Sequence, residues 1–127
     1  MMSKQIIIDT NAWMAITEFK LDLFTALERD CDFSYKIVVL QGIIEELEKI
    51  ISEQRGKFRQ AALLAIGIIK AKKIQIIQKQ KIGKVDDLLV QLSNKGDLVL
   101  TQDAELKKRL KKPYLTIRQK KKITFIE

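Results

Sequence analysis

The apolar residues of this chain set the strongest limit on its fold: short β-branched runs alternate with stretches of helical spacing. Ile6-Ile7-Ile8, Ile37-Val38-Val39-Leu40 and Leu98-Val99-Leu100 are such runs, and residues 74–77 form a fourth. Their near-continuous hydrophobicity suits strands buried on both faces, as parallel strands are. Between and after them the spacing predicts helices over residues 11–17, 22–30, 41–53, 57–72, 85–95 and 103–111. Strand alternating with helix implies βαβ units, a mainly parallel sheet covered on both sides, and right-handed crossovers. After Pro113, Leu115-Thr116-Ile117 and Ile123-Thr124-Phe125 offer one or two edge strands beside a lysine cluster.

With 127 residues, one proline, five glycines and no linker-like segment, residues 1–127 read as a single domain. No apolar run reaches the roughly 18 residues of a membrane span, and the amino terminus lacks the pattern of a secretory signal. The expectation is therefore a cytoplasmic protein with no membrane partner. Cys31 is the one cysteine, which excludes an internal disulfide and a cysteine-rich zinc site. Histidine is absent, which removes histidine-based triads and the H-E-x-x-H zinc proteases. Catalysis, if present, must use carboxylates, lysines or hydroxyls. Lys and Arg outnumber Asp and Glu by 24 to 16, and a net +8 favours a polyanionic partner such as nucleic acid.

Ligands of open α/β sheets sit beyond the carboxyl ends of strands, where the winding reverses. Asp9 ends the first strand in Ile6-Ile7-Ile8-Asp9-Thr10-Asn11, and Asp103 follows Leu98-Val99-Leu100-Thr101-Gln102. Each acid could be only a helix cap. Together they would put two carboxylates at one mouth. Of the acids in the helix after the second strand, Glu45 lies opposite the apolar stripe, while Glu46 and Glu48 flank it. Periodicity leaves both open. Asp86 and Asp87 open a further helix, where one can cap and the other can face the mouth, Asp86 being nearer the apolar side. Clustered carboxylates without a cation repel one another, so the cluster predicts a hard divalent ion; all-oxygen ligation suits magnesium or manganese. Such an ion supports hydrolysis of a phosphodiester.

Taken in order, Ile6-Ile7-Ile8-Asp9-Thr10-Asn11, Ile43-Ile44-Glu45-Glu46-Leu47-Glu48-Lys49, Val85-Asp86-Asp87-Leu88-Leu89 and Val99-Leu100-Thr101-Gln102-Asp103-Ala104-Glu105-Leu106-Lys107 resemble the PIN-domain nuclease family. The resemblance covers nearly the whole chain and extends to archaeal VapC-like members and the small-subunit rRNA-processing branch. It implies a three-layer α/β/α fold and Mg2+- or Mn2+-dependent cleavage of single-stranded RNA. It also implies a homodimer, with an antitoxin or a ribosome-assembly protein as a further partner. It maps the family's acids onto Asp9, Glu46, Asp86 or Asp87, and Asp103, with Asn11 and Thr101 orienting them. This choice of Glu46 over Glu48 comes from the resemblance.

Lys107, Lys108 and Arg109 follow Asp103 directly, and Arg118, Lys120 and Lys121 come soon after, so these are the expected phosphate contacts. Trp13, Phe19, Tyr35 and Tyr114 are read first as packing residues. Trp13, Met14, Phe19 and Phe24 could instead form an exposed apolar groove at the same end. The helix from Lys57 suits dimerisation or an antitoxin peptide. A non-catalytic RNA-binding or assembly module using the basic surface alone is the alternative function. A phosphoaspartate enzyme would want an acid where Asn11 stands, and a P-loop lacks its glycine-lysine motif.

Overall fold

The computed structural model describes residues 4–78 and 84–127. Along the chain run β1 (Lys4–Ile8), α1 (Thr10–Glu18), α2 (Leu23–Asp30), β2 (Tyr35–Leu40), α3 (Gln41–Glu53) and α4 (Lys57–Ala71). They are followed by β3 (Gln75–Ile77), α5 (Val85–Asn94), β4 (Leu98–Leu100), α6 (Ala104–Arg109), β5 (Tyr114–Arg118) and β6 (Lys122–Ile126). The six strands join in one sheet of order β3-β2-β1-β4-β5-β6. All neighbours pair in parallel except β5 and β6, which form an antiparallel hairpin at the edge. The expected strands and helices thus all form, each within a few residues of its expected limits, and both C-terminal runs join the sheet.

The reason lies in burial. Ile6, Ile7 and Ile8 of β1, Val38, Val39 and Leu40 of β2, and Leu98, Val99 and Leu100 of β4 are all buried, so successive side chains on both faces meet helices. Helices α1, α3 and α4 pack on one another and α5 packs on α6, and with the sheet they build a three-layer α/β/α architecture. Ile43 and Leu47 of α3 and Ala61, Ala62, Ala65 and Ile69 of α4 face inward at helical spacing. The small residues of α4 let helices approach closely. No helix among the described residues is long and apolar enough to cross a membrane.

Trp13 does not belong to an exposed groove. Its side chain is fully buried in the core, because α1 turns position 13 inward along with Ala12 and Ile16. Cys31 is buried too, and loss of water around the thiol raises its pKa.

The strand order fixes the position of the mouth. The chain builds outward from β1 to β2 and β3, then returns to the other side of β1 with β4 and β5. The winding therefore reverses between β1 and β4, the crevice where open α/β sheets receive ligands.

Candidate metal centre and nucleic-acid interface

Asp9 and Asp103 leave the carboxyl ends of the two strands that bound this crevice, and both are also helix N-caps. Asp9 accepts from the Thr10 amide at 2.8 Å, and Asp103 accepts from the amides of Glu105 at 2.9 Å and Leu106 at 3.3 Å. Capping and a place at the mouth are compatible, since a parallel strand delivers its last residue to the start of the next helix. The backbone joins the two ends: the Asp9 amide donates to the Leu100 carbonyl at 2.9 Å.

Side chains then tie the β1 and β4 loops together. The Thr101 hydroxyl, fully buried, donates to Asp9 Oδ2 at 2.9 Å and accepts from the Asp103 amide at 3.1 Å. Asn11 Oδ1 accepts from the Gln102 amide at 3.1 Å. Gln102 in turn clamps the loop to β5, accepting from Thr116 Oγ1 and the Ile117 amide and donating to the Ile117 carbonyl. Thr10 donates its hydroxyl to Glu46 Oε1, a link from the start of α1 to α3. Gly42 permits the last approach: a Cβ there would lie 2.7 Å from Val85 Cγ2, so only glycine lets the start of α3 meet the start of α5.

The result is a cavity of about 380 Å³ lined by Asp9, Thr10, Asn11, Met14, Glu18, Glu46, Ile50, Phe58, Asp86 and Asp103. Five of these are carboxylates and none is Lys or Arg, in a chain carrying a net +8. Desolvation by burial pushes Asp9 from 3.8 up to about 6, against the hydrogen bonds from Thr101 and Thr10 that favour its ionised form. Repulsion from Asp86 and Glu46 adds to the rise. Among the described residues no three Asp or Glu side chains are already arranged as a cation site. Two of the acids already use an oxygen in the bonds above: Glu46 with Thr10, which lines the same cavity, and Asp103 with its cap. The donor set nevertheless fits a hard cation, being all oxygen, multiply acidic and uncompensated by any basic side chain lining the same cavity.

Asp87 stands apart from Asp86. At the third position of α5 its carboxylate accepts from the Lys84 amide at 3.3 Å and pairs with Arg109 at 2.6 Å. It does not line the cavity, and the Arg109 pair holds its carboxyl below the usual range. The six basic residues expected to contact phosphate do not line it either. Lys107 is half-buried; desolvation and then Arg118 lower its pKa, while Asp103 pulls it up. Lys108 pairs with Glu105 at 3.3 Å, and Lys120 lies 5.5 Å from the Phe19 ring centroid. Arg118 and Lys121 are exposed at the ends of the β5–β6 turn. Basic residues beside the acids come from elsewhere: an adjoining cavity of about 480 Å³ shares Glu46 and Asp86 and adds Lys49 and Lys84.

Glu18, Ile50 and Phe58 were not anticipated as cavity residues, whereas Met14 was expected in an apolar groove at this end. Asn11, Met14 and Glu18 share one face of α1 at intervals of three and four, so Glu18 was within reach of helical spacing. Phe58 was not, because only the packing of α4 on α1 and α3 brings it there.

An α/β/α sheet with an acid-lined crevice at its switch point places this chain among the open-sheet domains that take ligands beyond the strand ends. The chain belongs to the PIN-like domain family, which it matches over residues 6–120. It is similar to Ribonuclease VapC4 of Methanocaldococcus jannaschii, 26% identical over 122 residues that span 92% of each chain. Among solved structures it resembles the PIN domain endonuclease Utp24, with a TM-score of 0.76 and 27% identity over 95% of this chain and 90% of that one. A domain of a functionally unknown protein from Methanocaldococcus jannaschii shares the fold, with a TM-score of 0.50, 15% identity and coverage of 82% and 81%.

Proposed function

We propose that the chain is a metal-dependent endoribonuclease that hydrolyses phosphodiester bonds of single-stranded RNA inside the cell. The observation that carries this reading is the cavity at the β1–β4 switch point, lined by five carboxylates and, among the described residues, no lysine or arginine. Family membership and the nuclease relatives support it. Asp9, Glu46, Asp86 and Asp103 are the residues proposed to hold Mg2+ or Mn2+. When bound, such an ion offsets the charge of the phosphate and acidifies water, which makes hydrolysis feasible at neutral pH.

The chain's own groups perform the rest. Thr101 orients Asp9 while binding the Asp103 amide, so one buried hydroxyl sets the relation of two acids. Thr10 holds Glu46 toward the mouth, and Asn11 fixes the loop through the Gln102 amide. Water adds across one P–O bond; its oxygen joins phosphorus and a proton goes to the departing ribose oxygen. A VapC-like toxin held by an antitoxin and an rRNA-processing enzyme working with ribosome-assembly proteins would share this chemistry. A small open reading frame upstream would mark the first. The exposed Leu63 and Leu64 of α4 support a homodimer.

Incubation of single-stranded RNA with purified protein and Mn2+ tests the activity. Cleavage is expected from the wild type and only background from Asp9→Asn, with thermal melting showing that the variant is folded. Equal, negligible cleavage by both would remove the enzymatic reading. Salt-dependent RNA binding that ignores both chelator and Asp9→Asn would leave a basic RNA-binding module in its place.

A further inference from the structure

The two flanks of the acids differ in chemistry. Glu46 and Asp86 are shared by both cavities; beyond them on one side lie Lys49 and Lys84, and on the other Met14, Ile50 and Phe58. Phe58 is the one aromatic residue lining either cavity. Placed at the second position of α4, just after Gly56, its ring is 50% exposed. It belongs neither to the core nor to the side chains packed against the core. Lys57 Nζ lies 5.5 Å from the ring centroid and 3.9 Å from Glu18, which lines the same cavity. Half of this ring is open to water beside five carboxylates, so one face is free to meet a ligand. A flat ring on one side of a phosphate-directed centre, with two lysines on the other, matches a single strand: the base side is apolar and the backbone side is cationic.

We propose that Phe58 is the stacking platform for an unpaired nucleobase next to the phosphate presented to Asp9, Glu46, Asp86 and Asp103. This rests on the nuclease reading and deepens it by assigning the selection of single-stranded substrate. A base within a duplex is covered on both faces by its neighbours, so only an unpaired nucleotide can offer a face to Phe58.

Binding separates this proposal from the activity. In the Asp9→Asn background with Mn2+, where RNA stays intact, the full chain is titrated with a single strand of roughly ten nucleotides carrying 2-aminopurine. A matched strand of abasic sites keeps the phosphates and lacks the bases. Phe58→Ala is expected to weaken the base-bearing strand about tenfold and to leave the abasic strand unaltered, while Phe58→Trp keeps the affinity. An equal loss on both strands, or no loss on either, overturns the proposal. So does a Phe58→Ala change in sedimentation, which would assign the ring to a second copy of the chain. If the wild type cuts no RNA but the base-selective loss persists, stacking stands and the nuclease reading falls. Cleavage by the wild type without base-selective loss gives the reverse.

Discussion

The crevice between β1 and β4 and the segment from α6 to β6 carry opposite charge, and the fold treats them differently. In the crevice, strand ends and helices gather five acids around one cavity, and burial raises Asp9 while its neighbours repel it. From α6 onward the lysines and arginines spread over a short helix and an edge hairpin, where they meet counter-ions, aromatic faces or water. Convergence stores electrostatic tension that a cation would relieve, whereas dispersal on a surface leaves little to relieve. The adjacent residues Asp86 and Asp87 mark the border: one lines the crevice, the other pairs with Arg109 of the basic segment.

The sharpest break of this contrast is a pair of substitutions one residue apart. Asp86→Asn is expected to lower RNA cleavage by more than about 100-fold, beyond the loss typical of a partner behind the ligands. Asp87→Asn should leave cleavage near wild type and stability little changed, since both members of its ion pair are nearly half exposed. Cleavage that falls equally in the two variants would erase the border.

A second prediction concerns stability. Because the folded protein holds the Asp9 proton up to about 6 and the unfolded chain releases it near 3.8, the folded state binds more protons in that window. Asp9 therefore contributes stability below about pH 4 that is lost as pH rises through about 6. The loss is at most about 3 kcal/mol for a rise of roughly two units. In chelator, Asp9→Asn should be more stable than wild type at pH 7.5 by an amount that shrinks toward pH 4.5. Added Mn2+ should narrow the difference at pH 7.5 by stabilising the wild type. Urea denaturation at the two pH values measures this, and a difference independent of pH would refute the burial of charge at Asp9.

The smallest effect sharpens the geometry. Gly42→Ala sets a Cβ 2.7 Å from the stiff Val85 side chain and should cost about 1 kcal/mol by overpacking. Val85→Ala in the same chain should relieve most of that loss if α3 and α5 are held apart by this contact alone. Additive losses in the double variant would show that another contact sets the spacing.

Much of this was legible in the chain before any tertiary contact. Strands read from runs of Ile, Val and Leu formed because period and β-branching are local properties that survive folding. Asp9 and Asp103 were legible for the same reason, as the short link from a buried parallel strand to the next helix has few places to go. The antiparallel β5–β6 edge was weakly signalled, because lysines between two short apolar runs suit an exposed turn and an unpaired tail equally.

What the amino-acid order settled by itself was the layered α/β plan, the lack of histidine chemistry and of an internal disulfide, and which acids end strands or open helices. Tertiary packing decided what turned on angles between elements. It set Asp86 on the cavity and Asp87 on Arg109, drew Glu18 and Phe58 into the lining, buried Trp13, and kept the C-terminal cations out. Local periodicity carries the face of a helix, but the direction in which that face points is set by hydrophobic contacts between segments far apart in sequence.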